Sequence, residues 1–227
     1  EFNKNVSFKN ETPKNETPKN ETPKNETQSL ILNTGKTATY KSGNGTSKHI
    51  FSYTVEADDT AKKLTVTGLN KTGITWYDTE VTTSTIADSA MVLPTGNNTL
   101  EANRSITIDT TAPTLSGISA ITSAGYYGLN SEIFISAKFN ETVNFENLDD
   151  LKLVLNSGDN VKTYSVSKSG PDTVLFKYKV AEGHEANPLK VSAIDYGNCK
   201  VFDIAGNELT DKSISQLTTS INIDTTK

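Results

Sequence analysis

The sequence predicts an all-β chain of two tandem β-sandwich modules, on three observations. Short runs alternate apolar with polar residues, Gly, Asn, Asp and Ser turns separate them, and the runs recur in the same order in the two halves. The strands are expected, in order, at Phe51 to Val55, Lys63 to Leu69, Ser105 to Asp109, Glu132 to Phe139, Leu151 to Leu155, Thr173 to Val180 and Ser220 to Asp224. Period-two alternation sets one side of each strand on a core and the other in water, the pattern of antiparallel sheets packed face to face. No amphipathic helix of three turns is visible.

The recurrence is specific. EFNKNVSF (1–8) matches KFNETVNF (138–145), LILNTG (30–35) matches LVLNSG (153–158), and IFSYTV (50–55) matches LFKYKV (175–180). LTVTGLN (64–70) then matches LKVSAID (189–195), and ITIDTT (106–111) matches INIDTT (221–226). Two copies of one module are therefore expected end to end, at 1–110 and 111–227, with the first copy lacking its opening strand. The spacing between matched segments falls by about 14 residues after the first pair, which marks an insertion in the first copy. That insertion is a KNETP repeat, assigned to residues 9–28. It holds no apolar side chain larger than proline and cannot bury enough surface to offset its ordering entropy, so an exposed, largely disordered loop is expected there.

Composition narrows the function classes. Of 227 residues, 34% are hydrophobic, below the usual globular share, and the net charge of −5 disfavours nucleic acid, whose phosphates need clustered Lys and Arg. No apolar run is long enough to span a bilayer, and none has the basic amphipathic character that docks on one. Cys199 is the only cysteine, which rules out an intrachain disulfide and a multi-cysteine metal site. The chain opens at Glu1-Phe2 without methionine, as a piece of a longer protein does, so missing export and anchoring signals carry no information.

Three segments carry a family resemblance: Thr37 to Asn70, the phrase VFDIAGNELT (Val201 to Thr210) and the joint IDTTAPT (Ile108 to Thr114). Together they resemble the immunoglobulin-like tandem repeats of large bacterial surface and adhesin proteins. The resemblance spans all but the KNETP tract, and it implies immunoglobulin-like β-sandwich modules, the first incomplete at its N-terminus. It further implies a non-enzymatic structural and interaction segment at the cell surface or outside the cell, serving as adhesin stalk and surface antigen. Neighbouring modules of the same protein would be its partners, with a host protein or glycan beyond them, and no cofactor is called for. The runner-up readings are a carbohydrate-binding accessory module of a large secreted enzyme and a calcium-dependent adhesive array. The first copy departs from the pattern, because Ile74 to Asn98 replaces the AGN turn. At the joint, Pro113 fixes its own φ and restricts Ala112, so limited swing between modules is expected.

Chemistry-bearing residues are few. A hydrolase triad needs a base, and the two histidines, His49 and His184, fall before and after matched strands, so both are read as exposed and structurally neutral. Cys199 reads as a small, half-buried apolar residue. The acidic residues in turns, Asp58, Asp59, Asp149, Asp150, Asp109 and Asp203, are hard oxygen donors. Of these Asp109 and Asp203, with Glu141, are the calcium candidates at the joint, set against the plainer reading of solvated turn carboxylates. Asn-x-Ser/Thr triplets, at Asn5, Asn44, Asn70 and Asn140 among others, read as products of an Asn- and Thr-rich composition. Trp76, Tyr77, Tyr126 and Tyr127 are weighed as contact aromatics against core packing.

Overall fold

A computed structural model describes residues 5–10, 28–71, 74–79, 85–158, 161–163 and 165–226. The chain is all-β, in several mostly antiparallel sheets, and divides into two units, Glu1–Thr110 and Thr111–Lys227. Among the described residues, helix is confined to α1 (Leu100–Asn103) and three 3-10 turns, and none is long and apolar enough to cross a membrane.

Unit 1 carries β1 (Val6–Asn10), β2 (Ser29–Leu32), β3 (Thr37–Ser42), β4 (Ile50–Ser52), β5 (Val66–Asn70), β6 (Ile74–Asp78) and β7 (Thr85–Ile86). They form two sheets, ordered β4-β3-β2-β5 and β1-β6-β7. The β2–β3 hairpin closes through Leu32 N–H to Lys36 O (2.9 Å), with Gly35 at φ 80° where a Cβ would be strained. The residues assigned to the KNETP insertion need trimming at both ends. Lys9 and Asn10 pair with Thr75 and Ile74 in the β1–β6 ladder, and Gln28 is fully buried. Residues 11–27 lie outside the described part of the chain.

Unit 2 carries β8 (Leu115–Ala120), β9 (Gly125–Tyr127), β10 (Glu132–Phe139), β11 (Asn144–Glu146), β12 (Lys152–Leu155) and β13 (Ser165–Lys168). It continues with β14 (Thr173–Lys179), β15 (Lys190–Asp195), β16 (Lys200–Phe202), β17 (Leu217–Thr218) and β18 (Ile221–Ile223). One sheet runs β13-β14-β10-β8 and another β12-β15-β17, while β11 pairs with β16 and β9 runs parallel to β18. The alternation in EIFISAKF is realised fully: Ile133, Ile135, Ala137 and Phe139 are buried and the residues between them are not. Val174, Phe176 and Tyr178 of β14, Leu153 and Leu155 of β12 and Val191 of β15 meet them in a single core.

The two units repeat each other down to single hydrogen bonds. Asn33 Oδ1 accepts from Thr65 N–H (3.0 Å) and its amide donates to Lys63 O (2.8 Å); Asn156 does the same with Lys190 N–H (2.6 Å) and Pro188 O (3.1 Å). Ala61 and Ile108 exchange two backbone bonds, as do Ala186 and Ile223. Phe8 lies opposite Trp76 as Phe145 lies opposite Val201. Thr110 Oγ1 donates to Asp59 O, and Thr225 Oγ1 to His184 O.

The equivalence breaks at β4. In unit 2, β14 is held on one edge by β13 and on the other by seven paired residues of β10. Its counterpart β4 pairs, among the described residues, only with β3. The core follows suit. Unit 1 has two separate buried clusters, one around Val6, Ile74, Trp76 and Met91 and the other around Leu32, Ala38, Ala61 and Leu64.

Candidate functional site

The edge of β4 that no described strand pairs with borders an apolar groove of about 250 Å³. It is lined by Leu30, His49, Phe51, Val66 and Leu69 together with Val92, Leu93, Pro94, Thr99 and Leu100. Leu30, His49, Phe51 and Val66 are half-buried, whereas their counterparts Leu153, Val174, Phe176 and Val191 are all 0% exposed. Val55 is 45% exposed where its counterpart Val180 is 1% exposed. The groove is thus lined mostly by side chains of core type that no strand among the described residues covers.

His49 closes one end of this groove and is half-buried, contrary to the exposed histidine expected. Its imidazole stacks on Trp76 (centroids 6.1 Å, planes 20° apart) and borders Phe8 and Tyr40. Nε2 lies 3.2 Å from Val6 O, so this nitrogen carries the proton. In the neutral ring Nδ1 then accepts from the amide of buried Gln28 (3.1 Å). Burial lowers the pKa of His49 from its ordinary value, which favours this neutral form. Gln28 and His49 stand where the second unit has Leu151 and Val174, one buried and one half-buried polar residue in place of two buried apolar ones. The aligned repeats carry that signal, although neither residue stands out alone.

His184 is likewise half-buried. Its ring stacks on Tyr178 (5.7 Å, 21°), and Nδ1 accepts from Ala181 N–H (3.1 Å) and the Tyr178 hydroxyl (2.9 Å). Both imidazoles are thus engaged in bonds that shape the fold. Cys199 is more deeply buried than expected, 2% exposed, and burial pushes its thiol up to about 11, so the nucleophilic thiolate is scarce at neutral pH. Of the aromatics, Trp76 is wholly buried in the core and Tyr126 is 79% exposed. Tyr127 is half-buried and donates from its hydroxyl to Ser123 O (2.9 Å).

The acidic candidates fall in both units. Asp109 is in unit 1, half-buried between Ile108, bridged to Ala61, and Thr110, bonded to Asp59. Glu141 and Asp203 are in unit 2, where a carboxylate oxygen of each lies within 4.8 Å of the other. Asp203 is buried and closes the AGN turn: its two oxygens accept from Asn207 N–H (2.8 Å) and Asn207 Nδ2 (2.7 Å), with Gly206 at φ 94°. Asp59 is also structural, 2% exposed and bonded to Tyr53.

No protein-family model, no curated protein and no solved structure matches this chain.

Proposed function

We propose that the chain is a non-enzymatic structural and interaction segment of a repetitive bacterial surface or secreted protein, built from immunoglobulin-like modules that serve as stalk and antigenic face. The observation that carries the reading is the strand order of unit 2. Labelled A to G in chain order, β8, β10, β14 and β13 take the places of A, B, E and D, and β12, β15 and β17 those of C, F and G. With β9, β11, β16 and β18 left aside, that order matches the ABED and CFG division of an immunoglobulin constant-type sandwich and supports the immunoglobulin-like reading. Duplication of the unit supports a structural role, since a repeated module extends a chain without new chemistry. The engagement of His49, His184 and Cys199 in packing supports a non-catalytic one.

Fractionation of the producing cells tests this reading, together with antibody against residues 111–227. Labelling of intact cells, removed by external protease, is the expected result. Recovery of the protein only from the cytosol, with unlabelled intact cells, overturns it.

A further inference from the structure

One face of unit 2 carries an aromatic ring and polar side chains that the fold does not use. β18 runs between β9 and the segment around Ala186: Asn222 lies opposite Tyr126 in the parallel β9–β18 pair, and Ile223 is bridged to Ala186. Ile221, Ile223 and Ala186 are buried, so alternation turns Tyr126, Asn222 and Asn187 to the outer face in one row, with Glu185 and Asp224 in the next. All five border one recess of about 380 Å³. Neighbouring strands lie about 5 Å apart, which spreads the row over about 10 Å. The ring of Tyr126 is 79% exposed, and among the described residues no hydrogen bond engages the side-chain amides of Asn187 and Asn222 or the carboxylate of Glu185. Asp224 Oδ1 accepts from Thr226 N–H (2.9 Å), and its other oxygen is unengaged among the described residues. The backbone beneath is fixed: Gly125 N–H donates to Ser220 O (3.2 Å), Asp224 N–H to Tyr127 O (3.1 Å) and the Tyr127 hydroxyl to Ser123 O (2.9 Å).

We propose that this face is a saccharide-binding site whose ligand is a neutral glycan, engaged over about two pyranose rings. A pyranose has an apolar face of C–H groups, which packs on an exposed aromatic ring, and a rim of hydroxyls, each both donor and acceptor. Tyr126 supplies the ring. The amides of Asn187 and Asn222 each offer donors and an acceptor, and the carboxylates of Glu185 and Asp224 accept from further hydroxyls. Those two carboxylates make the face negative, so an acidic sugar is repelled and a neutral one is not. An apolar peptide fits worse, because it would desolvate the amides and carboxylates without bonding them. Unit 1 has the same frame, with Ala61 bridged to Ile108 as Ala186 is to Ile223, but places Lys62 and Thr107 where unit 2 has Asn187 and Asn222. There Thr107 Oγ1 donates to Lys62 O (3.3 Å). The site is therefore a property of unit 2. It names a ligand class for the interaction role proposed above, yet stands on the geometry of this unit alone.

The test titrates the isotopically labelled full chain with lactose, maltose, cellobiose, chitobiose and mannobiose, read by NMR shifts of backbone and side-chain amides. With at least one of these, saturable shifts at Tyr126, Asn187 and Asn222 are expected, at a Kd on the order of 1–10 mM. Tyr126→Ala should weaken that binding at least about tenfold and Tyr126→Phe by less than about threefold, since the ring carries the contact. Neither should move the melting temperature by more than about 1 °C, because the side chain is exposed. Sialyllactose, an acidic sugar, should shift nothing at this face. Four results overturn the proposal: no saturable shift with any of the five sugars up to about 50 mM, binding that Tyr126→Ala leaves unchanged, shifts confined to unit 1, or tighter binding of sialyllactose than of the neutral sugars. Failure of surface labelling leaves this result untouched, and failure here leaves the surface reading standing.

Discussion

Asp59 and His184 occupy one position and perform one task with different chemistry. Asp59 Oδ2 accepts from the Tyr53 hydroxyl (2.6 Å) and Glu56 N–H (2.7 Å); His184 Nδ1 accepts from the Tyr178 hydroxyl and Ala181 N–H. In each unit a tyrosine six residues upstream and an amide three residues upstream are tied to one acceptor, which fixes the turn leaving β4 or β14. The requirement is an acceptor of the right reach, not a charge.

A histidine at position 59 should therefore serve better than an alanine. Thermal melting of the full chain should rank wild type above Asp59→His and that above Asp59→Ala, the alanine leaving the Tyr53 hydroxyl and the Glu56 amide without their acceptor. In wild type the bonds from Tyr53 first, then Glu56, hold the Asp59 carboxyl below its usual pKa of 3.8. Its stabilising contribution is present above that value and is lost as pH falls through the lower, folded value. Equal melting of D59H and D59A would show that the turn does not need this acceptor.

The strands were legible wherever one face alternates, as in Glu132–Phe139, because burial of every second residue is written directly in composition. The run Ser105 to Asp109 reads equally well but forms only an isolated bridge, at Ile108 to Ala61. Its counterpart β18 is a strand by virtue of β9, and among the described residues nothing holds that place in unit 1. Partners remote in sequence decide such cases. The partial burial of His49 depends on rings from β1, β3 and β6, which no local pattern reveals.

Cys199 should be silent in the native state. Buried, and with its thiol pushed up to about 11, it offers little thiolate and less access. A thiol-specific chromogenic reagent at pH 8 should report on the order of one equivalent only after denaturation. Rapid native labelling would mean that the Tyr196–Val201 region opens readily.

Calcium should leave residues 111–227 unmoved. Within this unit Glu141 and Asp203 are the neighbouring acids, and both oxygens of Asp203 already accept bonds from Asn207. Ordinary binding by so sparse a donor set is too weak to shift folding by mass action. Calorimetric titration of this unit should be flat; a melting rise of about 5 °C in millimolar Ca²⁺ would make the pair ligands rather than turn residues.

The units should differ in stability. Leu30, Phe51, Val55 and Val66 remain partly exposed where their counterparts are sealed, and each forgoes about half of the roughly 1.5–3 kcal/mol that full burial contributes. Residues 111–227 expressed alone should then melt at least about 10 °C above residues 1–110 expressed alone. The reverse order would mean that Leu93, Pro94 and Leu100 seal the groove as well as a strand does.

Unit 1 should also be the acid-sensitive one near neutrality, through His49. Burial lowers its pKa from 6.5, so the folded state binds the proton less readily than the unfolded chain. Well above 6.5 both states are neutral and the shift contributes nothing. As pH falls below 6.5 the unfolded chain takes up the proton first, and stability declines until the folded value is passed. The cause is burial, which strips water from the charged ring; Nε2 already donates to Val6 O, and Gln28 holds Oε1 as well as Nε2 at 3.1 Å from Nδ1. Replacing the pair with the residues found in unit 2, as Q28L/H49V, removes the titrating group and keeps the position apolar. Between pH 7 and 5 the melting temperature of unit 1 should fall in wild type and stay nearly level in the double variant. Parallel pH profiles for the two proteins would place the acid sensitivity elsewhere.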